Sequence, residues 1–281
     1  MDTFYILTNE KKDKGLHVTR LVQSYIEKSG KKSILAQTDE EGYVIPGSVP
    51  LEADCAIVIG GDGTLIQAIR GIRGSHLPVL GINMGTLGYL AEVEVTDIAN
   101  DLNKLFEESY TLEYRMMMQG SVNDGAPETA VNDIVLTRDG ALRIMHFNLY
   151  VNGELMNRYE ADGVIISTPT GSTGYNLSAG GPVMQPTMEG IIITPICPHS
   201  LNNRSLVISA EDEVVLELEP VRGEAENEGI LIVDGMVQKT MYGGERVHIK
   251  KAKQNSRLLK VGKTSFFEVF HEKLGMGKEN G

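Results

Sequence analysis

A single aspartate stands among three glycines at Gly60-Gly61-Asp62-Gly63-Thr64, just after the apolar run Ala56 to Ile59. A buried strand that stops at such a loop and continues as a helix exposes free N–H groups and the positive end of the helix dipole, which together make an anion site. Phosphate suits it, and Gly60, Gly61, Gly63 and Thr64 are the candidate phosphate ligands. The glycines let the backbone approach closely. A carboxylate there repels phosphate unless it binds Mg²⁺ or accepts a proton from an attacking hydroxyl, so Asp62 is the candidate catalytic group.

A second cluster starts at Asp162-Gly163, runs through an apolar strand and enters Thr168-Pro169-Thr170-Gly171-Ser172-Thr173-Gly174-Tyr175. Hydroxyls and free amides can hold a phosphate or a ribose without a cation, and Tyr175 offers a flat face to a base. Ser178-Ala179-Gly180-Gly181-Pro182 follows and again lets chain and ligand come close. Several other chemistries lack their residues. There is no G-x-x-x-x-G-K-[ST] loop, and Ile66 stands where a G-x-G-x-x-G fingerprint needs glycine. The six histidines are dispersed without zinc spacing, and no serine lies in a G-x-S-x-G elbow.

These residues need a scaffold. Over residues 1 to about 112 strand-like runs alternate with amphipathic segments. Phe4 to Leu7 precedes a helix carrying Leu16 to Ile26 and ended by Gly30, and Ser33 to Ala36 follows. Thr64 is read as the cap of a helix bearing Leu65, Ala68 and Ile69, and Pro78 to Ile82 and Asp97 to Phe106 supply another strand and helix. This predicts an open α/β domain with a largely parallel sheet. From residue 113 to about 261 apolar-polar alternation predicts a mostly β domain: Ala130 to Thr137, Ile144 to Val151, Gly163 to Thr168, Leu206 to Ile208, Val214 to Leu218 and Ile230 to Val233. Asn152-Gly153 signals a hairpin turn, and the glutamates flanking Val214, Leu216 and Leu218 read as a solvated strand face. The tail from about 262 to 281, with its Phe266 to Phe270 run, is expected to return to the first domain.

The 281 residues include 41% hydrophobic residues and carry a formal net charge of -12. That charge argues against general affinity for nucleic acid or anionic membrane, so an anionic ligand must meet a local site. Cys55 and Cys197 are expected to be reduced thiols. No stretch reaches the ~18 apolar residues of a membrane span, and the chain opens without a basic, apolar leader. A cytoplasmic protein is expected.

The motifs together resemble one family. Gly60 to Thr64, Asn132-Asp133, Asp162-Gly163, Thr168 to Tyr175, Ser178 to Pro182 and Thr194 to Leu201 occur in the order and approximate spacing of the NAD kinases. Gly-Gly-Asp-Gly alone is shared with diacylglycerol-type lipid kinases and 6-phosphofructokinases; the Thr-Pro-Thr-Gly-Ser-Thr run narrows the choice. The resemblance implies a two-domain fold, with a β-sandwich-like second domain that binds the dinucleotide and an active site between the domains. It implies phosphorylation of the adenosine-ribose 2′-hydroxyl of NAD by ATP, with Mg²⁺ carried mainly by the nucleotide phosphates and no certain protein metal ligand. Asp62 would accept the proton, and Asp62 and Gly63 would line the dinucleotide site. Asn132 and Asp133 would hold the adenosine end, with Asp162 approaching from the β domain or a neighbouring subunit. Thr173, Gly174, Tyr175 and Ser178 would flank adenine and ribose, and Cys197 would line the pocket. Subunits would form a homodimer or homotetramer. The chain departs from the family pattern at Asp133, where Glu is commoner, at Gly174, where Ala is, and at Met236, where many members carry Gln. Two other readings share parts of this pattern: a lipid or sphingoid kinase on the same loop, and a non-catalytic NAD(P)-binding sensor.

Overall fold

The structure is a computed structural model that describes residues 1–86, 88–138, 144–199, 204–220, 228–262 and 264–275. The chain divides into two compact units, Met1–Tyr114 with Ser256–Gly281, and Arg115–Asn255. Ser200 and Leu201, which close the last family motif, lie outside the described residues, as do Lys263 and residues 276–281 of the tail.

In the first unit the alternation of apolar runs and amphipathic segments produces β1 (Thr3–Thr8), α1 (His17–Lys28), β2 (Lys32–Leu35), β3 (Cys55–Gly60), α2 (Asp62–Gly71), β4 (Val79–Asn83), β5 (Val93–Glu94), α3 (Ile98–Phe106) and β6 (Thr111–Arg115). β1 pairs in parallel with β2 and β3, and β4 in parallel with β3 and β5. Every residue of β3 is buried, as a strand covered on both faces requires. On one face Val22 and Ile26 of α1 and Ile98, Leu102 and Leu105 of α3 pack with Phe4, Ile6, Cys55, Ile57 and Ile59. On the other, α2 brings Leu65 against Gly81, where an added Cβ would stand 3.0 Å from Leu65 Cδ1. Gly30, at φ 75°, follows the end of α1.

The second unit contains β7 (Met118–Val122), β8 (Glu128–Ala130), β9 (Asp133–Arg138), β10 (Met145–Val151), β11 (Glu154–Ala161), β12 (Gly163–Ser167), α4 (Tyr175–Ser178), β13 (Ile191–Ile196), β14 (Leu206–Ile208), β15 (Val214–Leu218), β16 (Glu228–Val233), β17 (Met236–Tyr242) and β18 (Arg246–Lys251). They form two six-stranded sheets, in the orders β11-β10-β15-β18-β7-β8 and β14-β13-β12-β9-β16-β17. Phe147, Leu149 and Leu216 of one sheet and Ile134, Leu136, Val164 and Ile166 of the other share one core, which makes the unit a β-sandwich. The expected hairpin is present: Asn152 and Gly153 adopt φ 51° and 82° between β10 and β11. Ala130 to Thr137, expected as one strand, is instead two strands in different sheets, broken at Val131-Asn132. Apolar-polar alternation alone does not show that break, because Ala130-Val131 and the run from Ile134 read as apolar on either side of Asn132-Asp133.

The chain re-enters the first unit at Ser256. There β19 (Ser256–Lys260) pairs in parallel with β4, and α5 (Phe266–Lys273) follows a Ser265–Glu268 capping box. Phe266 of α5 meets the Tyr89 ring at 6.0 Å between centroids. Among the described residues no helix is long and apolar enough to cross a membrane. Cys55 is buried, Cys197 is exposed, and both are free thiols; burial pushes the Cys55 thiol up.

Candidate active site

In the first unit the strand order β2-β1-β3-β4 reverses direction between β1 and β3, the position at which open α/β sheets bind ligands beyond their carboxyl ends. The Gly60 to Thr64 segment lies at the end of β3. The helix begins earlier than expected: Gly61 is its N-cap and Asp62 its first residue, so Thr64 sits inside the first turn and is not the cap. Thr64 Oγ1 instead accepts a hydrogen bond from Asn9 Nδ2 at 3.1 Å. An added Cβ on Gly60 would fall on the Thr64 side chain, which accounts for glycine there, whereas Gly63 is exposed with open space at its Cα.

Asp62 is held by a segment that no motif marks. Its Oδ2 accepts the Tyr89 N–H at 2.8 Å, and its Oδ1 accepts those of Leu90 and Ala91 at 3.1 and 3.2 Å. A side chain on Gly88 would strike Oδ1. An ionised carboxylate has about four lone-pair directions, so these three bonds leave one, on Oδ2, for an incoming hydroxyl.

In the second unit Asn132, Asp133, Val135, Thr137, Tyr175, Ile232, Asp234 and Gly235 line a cavity of about 400 Å³. Alternation along β9 explains the lining: Ile134 and Leu136 enter the core, while Asp133, Val135 and Thr137 face away from it. The floor is tied down by Asp234, whose Oδ2 accepts Val131 N–H at 2.9 Å and whose Oδ1 accepts those of Asn132 and Asp133 at 2.7 and 3.2 Å. Asp234 and Gly235, at φ 49° and 78°, also form the β16–β17 turn, so one aspartate serves both as hairpin turn and as clamp on the break between β8 and β9. The Asn132 amide oxygen is buried with no hydrogen-bond partner among the described residues.

The hydroxyl-rich run is turned inward more than its composition suggests. Thr168 Oγ1 donates to Val131 O at 2.6 Å, and Ser172 Oγ reaches Pro169 O at 2.7 Å and accepts the Met184 N–H at 3.1 Å. Buried hydroxyls must be paired, so these brace the loop. Asn176 extends the brace, donating to Ser172 O and Pro182 O and accepting from Thr194. What faces outward is Tyr175, 48% exposed beside Asn132 and Asp133. Thr173 and Gly174 are half-buried in the turn before it, and Ser178 is exposed at the end of α4, outside the cavity lining. The Asp162 carboxylate is engaged by Arg138, with Nε–Oδ1 at 2.8 Å, and its carbonyl accepts the Thr137 hydroxyl at 3.1 Å. Cys197, at φ 44° just beyond β13, is exposed and lies outside the cavity lining.

Residues 4–110 match the ATP-NAD kinase N-terminal domain, and residues 131–261 match the ATP-NAD kinase C-terminal domain. The chain belongs to the NAD kinase family. An NAD kinase of Lachnoclostridium phytofermentans is 41% identical over 98% of this chain and 99% of its own length. Among solved structures, an NAD kinase of Archaeoglobus fulgidus in complex with ATP superposes with a TM-score of 0.76, at 25% identity and 97% coverage of both chains. A yeast NADH kinase complexed with NADH shares the fold at a TM-score of 0.85 and 22% identity, over 99% of this chain and 89% of that one.

In this NAD kinase chain the burial of Asp133 beside Asp234 has an electrostatic consequence. Asp133 is 6% exposed, and burial, followed by the negative charge of Asp234, pushes its carboxyl up to about 7. Folding therefore binds a proton that the unfolded chain, with an ordinary value of about 4, releases. The stability this contributes is complete below about pH 4 and is lost as pH rises through about 7. Asp133→Asn, which resembles the protonated form at every pH, is expected to melt several degrees higher at about pH 8, with the gap shrinking as pH falls and closing at about pH 4 or below. Parallel melting profiles for the two proteins across that range would rule the effect out.

Proposed function

We propose that the chain transfers the γ-phosphoryl group of ATP to the 2′-hydroxyl of the adenosine ribose of NAD, giving NADP and ADP. The observation that carries this reading is Asp62, fixed by three backbone N–H groups beside a glycine-rich helix start, with one acceptor direction left. As the ribose oxygen bonds to phosphorus and the bond to ADP breaks, the hydroxyl proton passes to Asp62. Phosphoryl transfer has a loose transition state, so positioning and charge neutralisation matter most and the base acts late. The loop amides of Gly60, Gly61 and Gly63 with Thr64 hold donor phosphates. Asn132 and Asp133 bind the adenosine end, and Tyr175 stacks on the base, with Thr173 and Gly174 setting its angle. Ser178, Asp162 and Cys197 belong to the rim of the dinucleotide site.

Mg²⁺ would be carried mainly by the nucleotide phosphates, as the resemblance to the family implies. Bound to the phosphates, it neutralises their charge and polarises the transferred group. We assign the protein to the cytoplasm as a homodimer or homotetramer by likeness to the family.

The test is an end-point assay of the full chain with Mg-ATP and NAD, the NADP formed being read by an NADP-specific dehydrogenase, with a magnesium-free control. Metal-dependent NADP is the expected result. Folded protein that binds NAD but forms no NADP would overturn the reading.

A further inference from the structure

The reversal of strand order between β1 and β3 creates a crevice with two lips in the first unit. Gly60 to Thr64 is one lip and carries no cation of its own. The other is the turn Asn9 to Asp13 that leaves β1, and it is bonded to the first. The Asn9 N–H donates to Ile59 O at 3.0 Å, and Asn9 Nδ2 donates to Thr64 Oγ1 at 3.1 Å. Within the turn Asn9 Oδ1 accepts the N–H groups of Lys11 and Lys12, and Asn9 O accepts those of Lys12 and Asp13. Beyond it the Asp13 carboxylate, 2% exposed, accepts from Val18 N, Thr19 N and Thr19 Oγ1 at the start of α1.

Lys12 is thus held between two anchored residues, and its ammonium stands over the glycine loop. A Cβ on Gly61 would lie 2.6 Å from Lys12 Nζ, so the absence of a side chain there makes the room. The carboxylate of Asp62 is bound to Tyr89, Leu90 and Ala91. A triphosphate seated on backbone amides beside an aspartate, in a chain of formal net charge -12, needs a local cation.

We propose that Lys12 is a ligand of the donor triphosphate, a point charge that pairs with its phosphates as they rest on Gly60 to Thr64. The proposal rests on the reading of the chain as a phosphotransferase. In the sequence Lys12 is one of three lysines in Lys11-Lys12-Asp13-Lys14, and nothing there distinguishes it. Its placement over Gly61 does.

The experiment compares wild type, Lys12→Met, Lys12→Arg and Lys14→Met as full chains. It measures steady-state KM for Mg-ATP and for NAD, and calorimetric binding of Mg-ATP without NAD. Lys12→Met is expected to raise KM for Mg-ATP about tenfold and to weaken Mg-ATP binding by a similar factor, as loss of one charge-assisted hydrogen bond does. KM for NAD should stay within about twofold, and Lys12→Arg should restore most of the loss. Unchanged Mg-ATP binding in Lys12→Met, an equal effect in Lys14→Met, or a change confined to the KM for NAD would each overturn the assignment. Absence of NADP from wild type, with Mg-ATP binding still lost in Lys12→Met, would sink the NAD kinase reading and leave Lys12 as a phosphate ligand. A wild-type chain that does not bind Mg-ATP would overturn both.

Discussion

Asp62→Asn is expected to lower kcat for NADP formation at least about a hundredfold, within the 10²–10⁴ range associated with loss of a general base. The substitution keeps the shape of the side chain and one acceptor oxygen. Its amide nitrogen cannot take the ribose proton, and it also places a donor against one of the three N–H groups of Tyr89, Leu90 and Ala91 that the carboxylate accepts. A modest loss of stability should accompany the loss of rate, so the measurement needs a melting curve beside it. The KM for NAD should change little, because the groups assigned to the adenosine end are Asn132, Asp133 and Tyr175. Near-normal turnover with a lowered melting temperature would leave Asp62 as an anchor for residues 89–91 and no base.

Asp234→Ala is expected to destabilise the second unit by about 3 kcal/mol and to raise the KM for NAD. Three N–H groups, those of Val131, Asn132 and Asp133, lose their acceptor at once. Alanine must also adopt a positive φ, a conformation that costs roughly 1–2 kcal/mol for residues other than glycine, asparagine and aspartate. Removing the charge beside Asp133 offsets part of this above pH 7, so the loss should be larger at about pH 6 than at about pH 8. Asp234→Asn tolerates the backbone and keeps one acceptor oxygen, so it should recover more than half of the difference. Melting curves and NAD saturation curves for the two variants decide the matter: equal stability of Asp234→Ala and wild type would show that the clamp is dispensable.

Both expectations depend on residues far apart in sequence, and this divides what composition and spacing reveal from what they hide. The Gly60 to Thr64 loop was legible because its chemistry is local: three glycines, one aspartate and a buried strand lie within a few residues. Alternation revealed the β-rich unit and Asn152-Gly153 its hairpin, because both signals are carried by neighbouring residues. Asn132-Asp133 and Tyr175 were marked by family motifs, and the cavity brings them together.

What the sequence by itself determined, then, was the alternating α/β character of the first unit, the β-rich character of the second, and the family. The tertiary structure alone decided which groups hold Asp62, since residues 89–91 contribute through backbone N–H groups that every residue but proline possesses. It decided that Asp234 is a clamp as well as a turn, because its partners lie about a hundred residues earlier and meet it only when β16 pairs with β9. It turned Thr168 and Ser172 inward, since burial obliges their hydroxyls to bond carbonyls. And it singled out Lys12, one lysine of three in a charged run, through parallel pairing of β1 with β3, which sets the turn after one strand over the loop after the other.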